Sequence, residues 1–330
     1  FKQKTAYEIP KRDWSSDVCS SDLVAAAALL AACSGRAPAP PAPAFDILIT
    51  NAQIIDGAGG APRKGSIGVS GGKIAAVGEV TGTGARSIDA KGRTVAPGFI
   101  DLHSHSDMPL LTDGNGQSKI RQGVTTEVIG ESGSVAPRQT PSDTANWTDF
   151  NGYFAEIEKR GISPNLLSYI GTGTVRELVI GEDDKPATPK DIAAMQAIVS
   201  TAMAQGVFGV SSGLIYPPNA FATVEELGEV SKAAKGGLYA SHLRYDGLKL
   251  REGIEEAIAI GERAGIPVHV FHVKVTGQKN FGRMKEVIAI VEAARQRGVR
   301  VTADQYPYVD RKSTRLNSSH VSESRMPSSA

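Results

Sequence analysis

Residues 238–244 read LYASHLR, and residues 268–274, thirty positions further along, read VHVFHVK. Both stretches are short and apolar, and each has a histidine followed two positions later by a cation. Apolar runs of this length that are rich in β-branched and aromatic residues are typical of buried β-strands. Thirty residues accommodate one strand, one helix and two loops, so the pair predicts adjacent parallel strands joined by a helix.

Apolar runs of this kind recur through most of the chain. They begin near Val95, Val124, Leu166, Val207, Leu238, Val268 and Val299, and most are followed by a helical stripe such as 224–234 or 284–297. Seven such units predict an α/β protein with an incomplete (β/α)8 TIM-type barrel, since a complete barrel takes roughly 250 residues. The alternative is a doubly wound open sheet. The barrel is favoured because polar residues follow nearly every strand, whereas an open sheet concentrates its site at one switch point.

Residues 45–97 have a different pattern of apolar and polar residues. Short alternating stretches are separated by Gly-Gly and Asp-Gly pairs, a pattern that predicts a small antiparallel β-sandwich part. The barrel is expected to occupy residues 98–310.

The two ends of the chain are not expected to belong to this fold. Residues 23–33 read LVAAAALLAAC, which fits the apolar core of a secretory signal followed by a lipobox that ends in Cys33. Residues 34–44 then form a Pro/Ala linker. The prediction is an exported lipoprotein of the bacterial periplasm or cell envelope, held to the membrane only by a lipid on Cys33. The alternative is an Ala-rich buried helix.

Residues 1–22 and 311–330 lack the periodic pattern of the rest of the chain, and we interpret both segments as non-native ends of a truncated gene.

Composition limits the possible ligands. There are 36 basic and 35 acidic residues, so no global field favours nucleic acid. The two cysteines, Cys19 and Cys33, both precede the patterned region. Any metal in the fold must therefore be held by nitrogen and oxygen ligands.

Four histidines follow predicted strands in a way that indicates a metal site. His103 and His105 alternate along the first barrel strand and share a face, while His242 and His272 end the fifth and sixth strands. Four inward imidazoles are hard to satisfy as buried neutral groups, because each needs partners for its ring nitrogens. A divalent metal would satisfy them together.

Other side chains could complete this site. Either Glu131 or Ser132 could reach its centre from the second strand, and the carboxylate is the better zinc ligand. Arg244 and Lys274 would place positive charge at the barrel mouth, which suits an anionic substrate, unless they pair with acids such as Asp246. His269 falls on the opposite face of its strand and is predicted to face the helices in a structural role.

Taken together, several motifs resemble the amidohydrolase superfamily and, within it, the N-acyl-D-amino-acid deacylases (D-aminoacylases). The motifs are APGFIDLHSH at 96–105, QGVTT at 122–126, GVSSGLIY at 209–216 and YASHLR at 239–244. The resemblance covers about residues 45–308. It implies zinc-dependent hydrolysis of the amide bond of N-acyl-D-amino acids, which are small anionic substrates, with one or two zinc ions.

The resemblance also implies roles for individual residues. His103 and His105 match the ligands of a first zinc site, His242 and His272 match those of a second, and Tyr216 and Lys274 match positions that contact the substrate. Where many members of the family carry Asn-Cys-Gly, this chain has Glu131-Ser132-Gly133.

The family's general base is an aspartate that follows the eighth strand, and no residue of this sequence can be assigned that role. Asp304 belongs to the seventh strand and is interpreted as a structural group or a group behind the metal ligands. We therefore expect little turnover from these 330 residues alone. The alternatives are another amidohydrolase, either dihydroorotase- or hydantoinase-like or resembling isoaspartyl dipeptidase, and a non-catalytic surface lipoprotein.

Overall fold

The computed structural model describes residues 44–142 and 144–306, which divide into two compact units with a boundary between Val95 and Ala96. The predictions for the signal segment, for Cys33 and for the chain beyond residue 306 lie outside the described residues. None of the helices in the described part is long and apolar enough to span a membrane.

The first unit is built on one mixed sheet of five strands. The strands are β1 (Phe45–Ile54), β2 (Arg63–Ser70), β3 (Lys73–Gly78), β4 (Gly84–Asp89) and β5 (Thr94–Val95). The predicted antiparallel pairing holds for β1, β2 and β3, whereas β4 and β5 both run parallel to β1. Val95 was expected to begin the barrel, but its carbonyl accepts a hydrogen bond from the Ile55 amide at 3.0 Å and belongs to this sheet.

The second unit contains the seven parallel strands that the sequence predicts. They are β6 (Phe99–Asp101), β7 (Val124–Ile129), β8 (Asn165–Gly171), β9 (Gly209–Gly213), β10 (Tyr239–His242), β11 (Val268–Val270) and β12 (Val301–Ala303). Their order in the sheet is their order in the chain. Sequential parallel pairing of this kind is the pattern of a (β/α) barrel, so the predicted fold class is confirmed.

Helices connect these strands. They are α1 (Pro109–Thr112), α2 (Gln117–Ile120), α3 (Phe150–Arg160), α4 (Thr172–Val179), α5 (Pro189–Ala204), α6 (Val224–Ser231), α7 (Leu250–Ala264) and α8 (Met284–Gln296). Local sequence sets several of their ends. Asp149 and Thr223 cap α3 and α6, and Thr188 with Asp191 forms a capping box on α5. Gly265, in the left-handed conformation, ends α7.

Alternate residues of the strands pack on opposite faces of the curled sheet. Ile170, Val210 and Val268 join the large core between the strands and the helices. Tyr169 and Phe271 belong to a smaller cluster made by the other face of the strands.

This alternation corrects one prediction from the sequence. Val268 and Val270 face the helices, so His269 between them faces the interior, where it contacts Thr302 and Asp304. The expected outward position of His269 is therefore wrong, although its side chain is buried and hydrogen-bonded as a structural residue would be.

Candidate metal centre

Four histidines and one glutamate meet where the strands of the second unit end. The Oε2 atom of Glu131 lies 2.5 Å from Nε2 of His103 and 3.2 Å from Nε2 of His105. Its Oε1 atom lies 2.8 Å from Nδ1 of His242, and that nitrogen is 2.9 Å from Nε2 of His272. The structure thus brings together all five residues that the sequence analysis proposed as metal ligands.

The distances across this cluster show how strongly the sheet curls. His103 follows β6 and His272 follows β11, which are five strand spacings apart in the sheet. In a flat sheet with strands about 4.8 Å apart, that separation would be roughly 24 Å. The ring centroids are 4.9 Å apart. The sheet therefore curls as a barrel wall does, and the doubly wound open sheet is excluded.

Within the described residues, Glu131 is shared by two groups that could each hold a metal ion. One group is His103, His105 and Glu131, and the other is Glu131, His242 and His272; in each group the ligand atoms lie within 4.8 Å of one another. Each carboxylate oxygen faces one group. Imidazole nitrogen and carboxylate oxygen are the donors that zinc accepts when cysteine is absent, so the chemistry of the donor set fits that metal.

The pKa values of Glu131 and His272 are shifted toward the forms that bind metals, whereas the hydrogen bond with Glu131 raises the pKa of His105. Burial by itself raises the pKa of Glu131, but hydrogen bonds with His103, His105 and His242 outweigh burial and hold that pKa well below its ordinary value. Burial, followed by the nearby Lys274 charge, lowers the pKa of His272 to about 2. An ionised carboxylate and a neutral imidazole are the forms that bind metals.

A crowded turn fixes the position of Glu131. The next residue, Ser132, has φ 59°, a left-handed conformation that favours glycine. A Cβ atom on Gly171 would lie 2.2 Å from the carbonyl oxygen of Ser132, and one on Gly173 would lie 2.7 Å from it. The Ser132 hydroxyl accepts a hydrogen bond from the Asn219 amide at 3.0 Å. Of the two candidates that the sequence left open, the carboxylate lies among the histidines and the hydroxyl supports the turn.

The loop that carries His103 and His105 is held from behind by residues that the sequence analysis missed. Buried Glu127 accepts hydrogen bonds from the hydroxyls of Ser104, at 2.5 Å, and Ser106. Lys119 contacts the carboxylates of Asp101 and Glu127. The serines that alternate with the two histidines were the available signal, because they place hydroxyls on the face opposite the imidazoles.

Two of the predicted substrate contacts lie next to the cluster. The Lys274 ammonium is 3.0 Å from Nδ1 of His272 and 3.0 Å from a carboxylate oxygen of Asp246. The Tyr216 ring meets that of His242 edge-on, with centroids 5.4 Å apart. The local pairing with Asp246, which the sequence left as an alternative, is thus present for Lys274.

Arg244 is placed differently. Its Nε atom donates to Glu256 on α7 at 3.0 Å. Its terminal nitrogens donate to the carbonyls of Ala220, at 2.6 Å, and Ala222, at 2.9 Å. These partners lie outside the histidine cluster, so the guanidinium joins α7 to the loop after β9. The alternative of pairing with a local acid is therefore present for Arg244 too, and its contact with a substrate anion stays a prediction, because strand alternation predicts a face but not the partner that a long side chain finds there.

Comparisons with known proteins find similar enzymes. Residues 86–236 match the model of the amidohydrolase family. D-aminoacylase of Alcaligenes xylosoxydans xylosoxydans is 38% identical over 280 residues, which are 80% of this chain and 58% of that protein. A D-aminoacylase structure described as having a binuclear metal centre superposes with a TM-score of 0.73 at 36% identity, covering 80% of this chain and 59% of the other.

A third relative is N-acyl-D-glutamate deacylase from Bordetella bronchiseptica, solved with zinc and a phosphonate that mimics the tetrahedral intermediate. It has a TM-score of 0.73 at 33% identity, with 80% of this chain and 59% of that chain covered. Residues 86–236 thus carry the match to the amidohydrolase family, and the curled parallel sheet and the ligand cluster agree with that match. Within that family it is similar to the deacylases of N-acyl-D-amino acids, and it spans just under 60% of their length.

Proposed function

We propose that this chain forms the metal-binding part of a zinc-dependent hydrolase that cleaves the amide bond of N-acyl-D-amino acids. The observation that carries the proposal is the position of Glu131, whose two carboxylate oxygens face two separate pairs of histidines. The relatives act on substrates of this class by their names and are similar over four-fifths of the chain.

The residues present define what this part of the enzyme would contribute. Glu131 would hold one zinc ion together with His103 and His105, and a second together with His242 and His272. When bound, zinc supplies Lewis-acid polarisation of the amide carbonyl and activation of water.

Lys274 lies beside the cluster and carries the charge that a substrate carboxylate requires. The carboxylate of Asp246 pairs with the Lys274 ammonium beside the cluster. A substrate carboxylate would replace Asp246, at least in part, as the partner of that ammonium. The Tyr216 ring, packed edge-on against His242, would border the same space.

Zinc binding tests the metal centre directly. We expect the metal-stripped protein to take up two zinc ions per chain when it is titrated against a chromophoric chelator. Glu131→Gln should weaken the binding of both ions, because the neutral amide removes the charge that the two groups share. Glu225→Gln, the same change at an exposed position on α6, is the matched control and should bind zinc as the wild type does. Equal zinc affinity in the two variants would contradict the proposal.

Binding of a transition-state mimic tests the substrate class. A phosphonate analogue of an N-acyl-D-amino acid should bind the zinc-loaded protein, and calorimetry should show much weaker binding to its L enantiomer and to the metal-free protein. A preference for a cyclic analogue, such as a dihydroorotate or hydantoin mimic, would favour the other amidohydrolase assignment.

Export and lipidation are a separate proposal that rests on the sequence alone. Residues 23–33 have the pattern of a signal core and lipobox. We expect the protein to fractionate with bacterial membranes and to label with a palmitate analogue, and Cys33→Ser to abolish both. Label that persists in the Ser variant would show that Cys33 is not the lipidated residue.

A further inference from the structure

The metal-ligand candidate His272 lies in a turn that its own residue type does not favour. β11 ends at Val270, two positions earlier, and His272 has φ 38°. A non-glycine residue in the left-handed region is unfavourable and persists only where surrounding contacts determine it. The contacts that hold this turn therefore also decide where the imidazole points.

The carboxylate of Asp304 supplies the contact to the His272 backbone itself. Its Oδ1 atom accepts the hydrogen bond that the backbone N–H of His272 donates. Its Oδ2 atom lies 2.9 Å from Nε2 of His269, a side chain that is 2% exposed and whose Nδ1 atom lies 2.8 Å from the hydroxyl of Thr302. Asp304 is thus fixed by a buried neighbour on one side and holds the turn on the other.

We propose that Asp304 is a positioning residue for the second metal group, and that it acts through the backbone of His272. The bond to the His272 N–H keeps the turn left-handed and so keeps Nε2 of that ring 2.9 Å from Nδ1 of His242 and within the group completed by Glu131. The inference rests on the proposed zinc centre. Groups behind metal ligands typically change metal affinity 10- to 100-fold when they are removed.

Two features separate this role from a general structural one. The backbone bonds between the two segments, from Val273 N to Asp304 O at 2.8 Å and from Asp304 N to Val270 O at 3.2 Å, do not involve the carboxylate. Asp304→Ala therefore keeps the β11–β12 connection and removes the two carboxylate contacts, with the His272 N–H and with the His269 ring. The first metal group, made by His103, His105 and Glu131, has no member in contact with Asp304 among the contacts described for these residues.

The conservative variant Asp304→Asn offers a rescue. Its amide oxygen can still accept from the His272 N–H, and its amide nitrogen can donate to His269 once that ring adopts its other neutral tautomer. If the hydrogen bond to His272 maintains zinc affinity, the Asn variant should recover the affinity that the Ala variant loses. If the negative charge of Asp304 is what matters, Asn and Ala should behave alike.

The experiment is a zinc titration against a chromophoric chelator on the wild type, Asp304→Ala and Asp304→Asn, with cobalt(II) absorption to report the coordination of each bound ion. We expect the Ala variant to bind one ion with wild-type affinity and the other 10- to 100-fold more weakly. The Asn variant should bind both ions with affinities within about threefold of the wild-type values and with unchanged cobalt bands. That difference is much smaller than the 10- to 100-fold change expected when a group behind a metal ligand is lost.

Wild-type affinity for both ions in the Ala variant would overturn the inference, and so would an Asn variant as weak as Ala. If the Ala variant does not fold, Asp304→Ser, whose hydroxyl is too short to reach the His272 N–H, takes its place and should show the same selective loss. A wild-type protein that binds fewer than two ions would instead refute the two-ion centre proposed above.

Discussion

Among the described residues, Glu131 and Arg176 show how buried charge is held by specific partners. The carboxylate of Glu131 is 6% exposed and is surrounded by imidazoles on both oxygens. Away from the cluster, the guanidinium of Arg176 is 1% exposed and donates to Glu226 at 2.9 Å. It also donates to the carbonyls of Asp183 and Lys185. Breaking such a pair costs more than the pair itself contributes, because it leaves one charge buried without compensation.

Glu226→Leu tests the cost of breaking the buried pair of Arg176 and Glu226. The substitution leaves the Arg176 charge buried without its carboxylate, so we expect the free energy of unfolding to fall by about 3–5 kcal/mol. Urea denaturation, with unchanged m-value, measures the loss.

Glu225→Leu is the matched control, since it makes the same change at an exposed position one residue earlier on α6. It should alter the free energy of unfolding by no more than about 0.5 kcal/mol. A similar small effect for both variants would show that the buried pair contributes nothing specific.

At the scale of the element, the strands bring the ligand residues close together, but the turns after the strands determine how their side chains are oriented. Among the described residues of the second unit, the non-glycine residues with positive φ are Ser132, directly after Glu131, and His272. Both follow the end of a strand. Each is held by contacts from the next strand along the sheet, Gly171 of β8 in one case and Asp304 after β12 in the other.

Gly171→Ala tests the first of these turns. A Cβ atom there would lie 2.2 Å from the Ser132 carbonyl oxygen, so the backbone beside Glu131 must shift. We expect the zinc affinity to fall about 10-fold or more, because the shared ligand moves. Stability should fall by about 1–3 kcal/mol through overpacking.

Gly60→Ala is the control for a glycine with open space, since no atom lies within 4 Å of its Cβ position. It should leave both zinc affinity and stability close to wild type. A Gly171→Ala protein with wild-type zinc affinity would show that the Glu131 turn does not depend on this close approach.

At the scale of the second unit, curvature makes the site. Glu131 and His242 are 111 residues apart in the chain and come from strands that are three positions apart in the sheet, yet their side-chain atoms are 2.8 Å apart. A flat sheet would separate the strands by about 14 Å. The curl instead gathers the ends of β6, β7, β10 and β11 around one carboxylate.

The amino-acid sequence was sufficient to predict the seven strands, the barrel class and the five side chains that the structure brings together, because periodicity and ligand chemistry are local properties that residue order records. Folding in three dimensions decided the rest. Three contacts that the sequence did not predict join segments up to 35 residues apart. They are the contact of inward-facing His269 with Asp304, the pairing of Arg244 with Glu256, and the hydrogen bond between Asp304 and His272. Strand alternation misplaced His269 because its face was assigned from His272, which lies beyond the end of β11 in a left-handed conformation that no longer follows the alternation. Alternation could not predict the Arg244 and Asp304 contacts, because side chains take whichever partner the fold brings within reach.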